Sequence, residues 1–331
     1  MTAPLIEMDN VERVFGGGRT LFGRQLPAVH AVQQVSLDVR PGETLGVVGE
    51  SGCGKSTLAR MVAGLDRPTG GSIRFKEKDL AAAARNDFNA LARQIQYVFQ
   101  DPVSSLNPRK TIRAILKAPL IHLLGLKRAA RRERLAELMD AVNLRAEFLD
   151  RYPHEFSGGQ AQRIGIARAL AASPELMVLD EPVSALDVSV QAQVLNLLDD
   201  LKARYGLTYV FISHDLSVVE SVSDRVAVMY FGRIAEIGPA REIFARPLHH
   251  YTRLLLDSAP VPGKAVTVPE GENGELPDPY NPPAGCAFAA RCPAADDRCR
   301  AERPPIETAQ GGPGHLAACF HPLVSAAEVG G

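Results

Sequence analysis

"GESGCGKST", residues 49–57, decides the fold class. It fits G-x-x-x-x-G-K-S/T, follows the apolar run "TLGVV" and precedes a helical pattern, the context that a phosphate-cradling loop requires. Glycines let the backbone curl so that successive amides face phosphate oxygens. The helix N-terminus behind the loop adds partial positive charge. Lys55 reaches the β- and γ-phosphates, and Ser56 offers its hydroxyl to Mg²⁺. Cys53 occupies a variable position and reads as a small filler rather than a nucleophile. Strand, loop and helix in this order predict an α/β protein that binds a nucleotide.

The rest of the chain fits that class. At 331 residues the length suggests about two domains. Composition is that of an ordinary globular protein, 46% hydrophobic and 23% charged. A net charge of −1 gives no bulk basic character, so no nucleic-acid partner is expected. "MTAPLIEMDN" has no basic n-region and no long apolar run, so no signal peptide is expected. No stretch approaches the ~18 apolar residues needed to span a bilayer. A cytosolic chain is expected, whose membrane role would need a partner.

Over the first ~250 residues short apolar runs alternate with longer helical patterns. "LIEMDNVERVF" and "HAVQQVSLDV" alternate like half-buried strands, and "TLGVVG" reads as a buried one. A helix is predicted from about Gly54 to Ala63. "GSIRF", "QIQYVF", "ELMVLD", "TYVFIS" and "DRVAVMY" are further strand candidates. Residues 110–150 read as helical without strand signal, and the basic run Lys127–Arg134 reads as a solvated helix face. From about Pro260 the texture becomes Pro- and Gly-rich and aperiodic. The boundary is placed near 255, giving domains 1–255 and 256–331. No internal repeat is evident.

A phosphate loop alone says only nucleotide, since kinases, GTPases and motors share it. "ELMVLDEP" (175–182) is an apolar strand ending in two carboxylates. Asp180 can hold Mg²⁺, directly or through water, and Glu181 points elsewhere and can polarise the attacking water. Phosphoryl transfer needs both roles, because its catalysis is mostly positioning and charge stabilisation. "FSGGQ" (156–160) sets a serine N-cap before two glycines, exposing backbone amides as a second anion site. Two phosphate-binding helix ends in one chain make sense if the second serves an ATP held by another subunit.

With these motifs in order over residues 5–250, the chain resembles the nucleotide-binding subunits of ABC transporters. Gly49–Thr57 matches Walker A, Gln100 in "VFQDP" the Q-loop, and Ser157–Gln160 the signature, with Phe156 where Leu is commoner. Asp180 and Glu181 match Walker B and the catalytic glutamate, Ser184–Asp187 the D-loop, and His214 in "FISHD" the switch histidine. The resemblance implies a P-loop NTPase fold: a mixed sheet core, an antiparallel β subdomain and an α-helical subdomain over about 105–160 that meets the permease. It implies a head-to-tail dimer with two sandwiched ATPs. Gly49, Glu50, Ser51, Gly52, Cys53, Gly54, Lys55, Ser56 and Thr57 would hold one nucleotide. Ser157, Gly158, Gly159, Gln160 and Asp187 would face the partner's. His214 would contact the γ-phosphate, and Gln100 would contact Mg²⁺ or water. Phe15 is the candidate for stacking on adenine, with Phe22 the alternative.

"QDPVSSLNPRKTI" (100–112), "HHYTRLLLDSAP" (249–260) and "GELPDPYNPPAGCAFAARCP" (274–293) resemble dipeptide and oligopeptide importers, with His250 in place of a usual proline. The early insertion containing "LFGR" resembles the second of their two ATPase subunits. The resemblance implies two transmembrane permease subunits, a paralogous ATPase partner and, indirectly, a periplasmic or extracellular solute-binding protein. It places the chain peripherally on the cytoplasmic face of the membrane. The same subfamily moves nickel, glutathione and certain sugars. A soluble ABC ATPase of DNA repair or translation is the rival from another class, and a regulatory iron–sulfur protein on an ATPase scaffold is a third.

Four of the five cysteines crowd near the end: Cys286, Cys292, Cys299 and Cys319, spaced C-x5-C-x6-C-x19-C. In a reducing cytosol, clustered thiols suit metals better than disulfides. The C-x2-4-C pairs usual for structural zinc are missing. Four thiolates can hold a 4Fe-4S cluster, and a metal staple would serve a loop-rich segment that struggles to fold unaided. Peptide-importer ATPases of this type carry a matching four-cysteine set. A four-thiolate Zn²⁺ site and unliganded or disulfide-forming thiols are the alternatives.

Overall fold

The computed structural model describes residues 3–18, 26–258, 277–308 and 314–323. Phe22, the "LFGR" stretch and residues 259–276 of the Pro/Gly-rich segment lie outside the described residues.

The chain opens with β1 (Ile6–Gly16), β2 (Ala28–Val39) and β3 (Thr44–Val48), followed by α1 (Lys55–Val62). β4 (Gly70–Phe75), β5 (Lys78–Asp79), α2 (Leu80–Asn86), α3 (Phe88–Gln94) and β6 (Ile95–Val98) come next. A helical stretch holds α4 (Ile112–His122), α5 (Arg128–Ala141) and α6 (Gly158–Leu170). Alternation resumes with β7 (Leu176–Asp180), α7 (Val188–Tyr205), β8 (Thr208–Ile212), α8 (Leu216–Val222), β9 (Arg225–Tyr230) and β10 (Arg233–Pro239). The chain closes with α9 (Ala240–Ala245), α10 (His250–Ser258), α11 (Asp297–Ala301), β11 (Glu307–Thr308) and β12 (Leu316–Ala317).

Two sheets form. The antiparallel one runs β2-β1-β4-β5, and the mixed core sheet runs β11-β12-β10-β9-β3-β8-β7-β6. Within the core sheet, β9, β3, β8, β7 and β6 are parallel. Every residue of β3, β7 and β8 is buried. Such uninterrupted apolar strands suit a parallel sheet covered on both faces. In β1 Ile6 and Met8 alternate into the core, and an irregularity in the pairing between Met8 and Val11 brings Val11 in as well.

Residues 110–150 carry no strand, as expected. Thr111 caps α4 through Ala114 N, at 3.3 Å. Leu135, Leu138 and Met139 bury one stripe of α5. The basic run begins at Lys127, the N-cap of α5, and Lys127, Arg128 and Arg132 are exposed.

The structure differs from the sequence reading in two places. α1 starts at Lys55 rather than Gly54, because Gly54 takes φ +104°, a left-handed conformation costly for any residue with a Cβ. β10, with β11 and β12 beyond it, was not read as strand. Glu236 interrupts its apolar run, yet that side chain is fully buried. The segment beyond 255 stays joined to the core, since α10 spans His250–Ser258 and β12 pairs with β10 through Ile237↔Leu316.

Glu236 is satisfied by what surrounds it. Leu248 N (2.8 Å) and His315 Nε2 (2.7 Å) lie on Oε1, and His249 N (2.8 Å) lies on Oε2. His315 comes from the C-terminal segment, so this buried carboxylate fastens that segment to the core sheet. Removing one partner of a buried pair leaves an uncompensated charge. His315→Ala should therefore lower stability by about 3 kcal/mol in urea unfolding monitored by circular dichroism, whereas an unchanged midpoint would show that the pair holds nothing.

Candidate functional site

Parallel strands end their carboxyl termini at one edge, where α/β proteins bind ligands. Here β3 delivers the loop 49–57, β6 leads to Gln100, β7 ends at Asp180, and β8 leads to His214. The loop hugs its supports. A Cβ at Gly49 would lie 2.0 Å from Met229 O, and one at Gly54 would lie 2.2 Å from Ala31 O. Lys55 is 5% exposed, and its Nζ donates to the carbonyls of Gly49 (2.7 Å) and Glu50 (2.9 Å). The loop thus curls around its own lysine. Cys53 is buried, with its sulfur packed under Gly49, as its reading as a filler anticipates.

Ser56 Oγ donates to Asp180 Oδ1 at 3.0 Å. Tyr97 OH donates to the other oxygen, Oδ2, at 2.6 Å. Burial, together with the hydrogen bond to Asp180, pushes the Tyr97 phenol far above its ordinary pKa, so it stays a donor. Glu181 is held by two other groups. Gln100 Nε2 donates to Oε2 at 2.8 Å, and His214 Nδ1 lies 3.2 Å from Oε1. Glu181 itself takes φ +47°, a left-handed conformation that a non-glycine residue holds only when its surroundings fix it. Its amide donates to Ile212 O at 2.9 Å. The turn aims two adjacent carboxylates at two different sets of partners.

Six expected residues thus meet in one place: Lys55, Ser56, Gln100, Asp180, Glu181 and His214. The set faces what a bound phosphate chain needs: a cation, a hydroxyl–carboxylate pair fit for Mg²⁺, and a carboxylate beside an amide and an imidazole.

The other expected residues lie apart. Ser157 N-caps α6 in a reciprocal capping box: Gln160 N to Ser157 Oγ is 3.4 Å, and Ser157 N to Gln160 Oε1 is 3.1 Å. Ser157 and Gly158 are exposed. A Cβ on Gly159 would lie 2.3 Å from Val190 Cγ1, so glycine lets α6 meet α7 closely. Asp187 sits at the N-cap position of α7 without a side-chain capping bond and is exposed, next to Val188 at 81% exposure. Among the described residues no hydrogen bond joins Ser157–Gln160 to the loop 49–57. Phe15 sits near the outer end of β1 opposite Val29, 40% exposed, with the Arg13 guanidinium 4.6 Å from its ring centre.

Three residues near the loop escaped the sequence reading. They are Tyr97, Tyr251, whose hydroxyl accepts from Glu50 N at 2.9 Å, and Arg291, 3.0 Å from the Glu50 carboxylate. Tyr251 and Arg291 lie in stretches read for their family resemblance and Tyr97 in a strand candidate, but only contact in space reveals their place beside the loop.

The four C-terminal cysteines, all free, line one small enclosed pocket together with His249, His250 and His321. Asp296 caps α11 by accepting from Cys299 N at 2.8 Å, and its other oxygen lies 2.9 Å from His321 Nε2. Ligand atoms of Asp296, Cys299 and His321 fall within 4.8 Å of one another. Burial, with the neighbouring thiols adding, pushes the Cys319 thiol up to about 11. Burial likewise raises Cys286, Cys292 and Cys299.

Comparison with known proteins follows the same lines. The profile of the family described as "ABC transporter" matches residues 32–184, and that of "Oligopeptide/dipeptide transporter, C-terminal region" matches residues 235–299. The chain is 49% identical to the oligopeptide transport ATP-binding protein AppF of Bacillus subtilis, over 95% of this chain and 96% of that one. It is 48% identical to the dipeptide transport ATP-binding protein DppF of Haemophilus influenzae, over 96% and 97%. Among solved structures it resembles the dimeric post-hydrolysis state of the ATP-binding cassette MJ0796 bound to ADP and Pi. The TM-score is 0.62 at 28% identity, covering 71% of this chain and 99% of that one.

The thiol environment can be measured. The thiolate is the reacting form, and below about 11 it stays the minor form at Cys319. In metal-free protein, iodoacetamide labelling of Cys319 should accelerate about tenfold per pH unit, still rising between about pH 9 and 10. A rate that levels off near pH 9 would mark an ordinary thiol.

Proposed function

The chain belongs to the ATP-binding subunits of oligopeptide/dipeptide ABC transporters, and from that membership we propose how it works. It is an ATPase that uses ATP with Mg²⁺ and energises the import of di- and oligopeptides through a membrane permease. No helix among the described residues is long and apolar enough to cross a membrane.

The observation that carries the mechanism is the meeting of Lys55, Ser56, Gln100, Asp180, Glu181 and His214 at one sheet edge. In the proposed roles, Lys55 neutralises the β- and γ-phosphates. Ser56 and Asp180 already face each other at 3.0 Å and would hold Mg²⁺, which neutralises charge between those phosphates. Glu181 accepts a proton from the attacking water, and His214 contacts the γ-phosphate. Gln100, bonded to Glu181, sits at the start of the segment leading to the helices α4–α6, so a change around the nucleotide reaches the permease-facing subdomain. Phe15 would stack on adenine. Ser157, Gly158 and Asp187 are exposed, and with Gly159 and Gln160 behind them they would close on the nucleotide of a second ATPase subunit, a paralogue in our reading. Two permease subunits and a solute-binding protein outside the membrane complete the proposed assembly at the cytoplasmic face. Residues 1–255 would form the nucleotide-binding domain, and 256–331 its extension.

The cysteines are proposed to hold a 4Fe-4S cluster. What supports a metal is the convergence of four thiols on one pocket, since thiolates are the soft ligands that iron–sulfur clusters take. The grouping of Asp296, Cys299 and His321 favours Zn²⁺ as the second reading, because oxygen and imidazole donors suit zinc. The role is structural or redox-sensing, because ATP hydrolysis needs no electrons.

Two experiments test these assignments. Glu181→Gln should slow ATP hydrolysis by about a hundredfold or more while ATP still binds, read by phosphate release and nucleotide titration. Undiminished turnover would remove Glu181 from the chemistry. Protein purified without air should carry about four irons and four sulfides per chain, lost in Cys292→Ser. About one zinc and no sulfide would select the second reading.

A further inference from the structure

Arg291 directly precedes Cys292, yet its side chain ends at the phosphate loop. Nη1 lies 3.0 Å from Glu50 Oε1 and 3.0 Å from Oε2. The pair is largely out of water, at 12% side-chain exposure for Arg291 and 27% for Glu50, so solvent screens it less than a surface pair. The guanidinium lies over Phe288 (5.6 Å) and Tyr230 (5.9 Å). Its Nη1 reaches Tyr230 OH at 3.5 Å. Tyr230, Tyr251 and Phe288 pack on one another with ring centres 4.5–5.4 Å apart. The cysteine segment feeds straight into this packing, since Arg291 N donates to Phe288 O at 2.9 Å and Phe288 is two residues from Cys286.

Glu50 is engaged at every polar group. Its amide donates to Tyr251 OH (2.9 Å), its carbonyl accepts from Lys55 Nζ (2.9 Å), and its carboxylate meets Arg291. Moving Glu50 therefore moves the carbonyl that positions Lys55. A carboxylate in a loop built to receive phosphates also repels them unless it is neutralised. Arg291 supplies that neutralisation from the far end of the chain. None of the phosphate-loop chemistry by itself requires an arginine from the cysteine segment.

We propose that Arg291 is a positioning residue for the nucleotide. It neutralises and anchors Glu50, so that the C-terminal cysteine segment sets the affinity of the phosphate loop for ATP. The inference rests on the ATPase reading of the loop. It also makes the influence mutual: if the packing of the cysteine segment changes ATP affinity, bound ATP changes the stability of that segment by the same factor.

The test uses the full-length chain, with ATP titrated calorimetrically and KM and kcat measured together. Arg291→Met keeps the apolar stem over the two rings and removes the charge. It should raise the Kd and KM for ATP about fivefold or more, with kcat changed by less than about twofold. Arg291→Lys should recover part of the loss. In a Glu50→Gln background the charge conflict is gone, so Arg291→Met should add less than about twofold. A correctly folded Arg291→Met with wild-type Kd and KM would overturn the inference, as would an equal loss in the Glu50→Gln background. Should Arg291→Met fail to fold, Arg291→Lys and Glu50→Gln carry the same comparison. A wild-type chain that binds no ATP would instead sink the ATPase reading itself.

Discussion

The site depends on one carboxylate. Asp180 ends β7, is 6% exposed, and accepts from Ser56 at the start of α1 and from Tyr97 in β6. A buried charge is tolerated only when donors satisfy it. Satisfying this one pins the ends of β6 and β7 and the helix behind the phosphate loop to common positions. The spacing of the sheet is thereby converted into the spacing of a phosphate site. Glu181, next in sequence, can then turn away only by adopting φ +47°, and that turn delivers it to Gln100 and His214. One strand end thus presents two adjacent carboxylates to two separate sets of partners.

The phosphate loop is held from behind as well. Its glycines bring it against the carbonyls of Ala31 and Met229, where a Cβ would collide. Gly232 N donates to Cys53 O at 2.8 Å, and Gln33 Nε2 donates to Phe231 O at 2.9 Å, so the turn between β9 and β10 is tied to the loop and to β2. β10 in turn carries Glu236, which draws in His315 and the backbone before α10. The path from the C-terminal segment to the nucleotide loop is short, and it is made of buried polar contacts and stacked rings rather than of loose surface.

By itself the sequence determined the fold class and the chemistry. Gly49–Thr57, "ELMVLDEP" and "FISHD" specify their sites through local rules: a loop that must curl, strands that must be apolar throughout, and polar groups at their tips. Such signals survive in one dimension because each motif's geometry is set within a few residues. The exposed "FSGGQ" cap was legible for the same reason. The convergence of four cysteines in one pocket was suggested by spacing, but not how they meet.

Only the tertiary structure decided the contacts between residues far apart in the chain. Tyr97 on Asp180, Tyr251 on the Glu50 amide, Arg291 on the Glu50 carboxylate, and His315 on Glu236 involve sequence separations of 83, 201, 241 and 79 residues. No periodicity or motif encodes such pairs, because each depends on how separate elements pack. β10 was hidden for a related reason: a buried glutamate breaks an apolar run on paper, and only the partners supplied by packing make its burial affordable. Local chemistry was therefore written in the sequence, while the contacts between the phosphate loop and the end of the chain arose from packing alone.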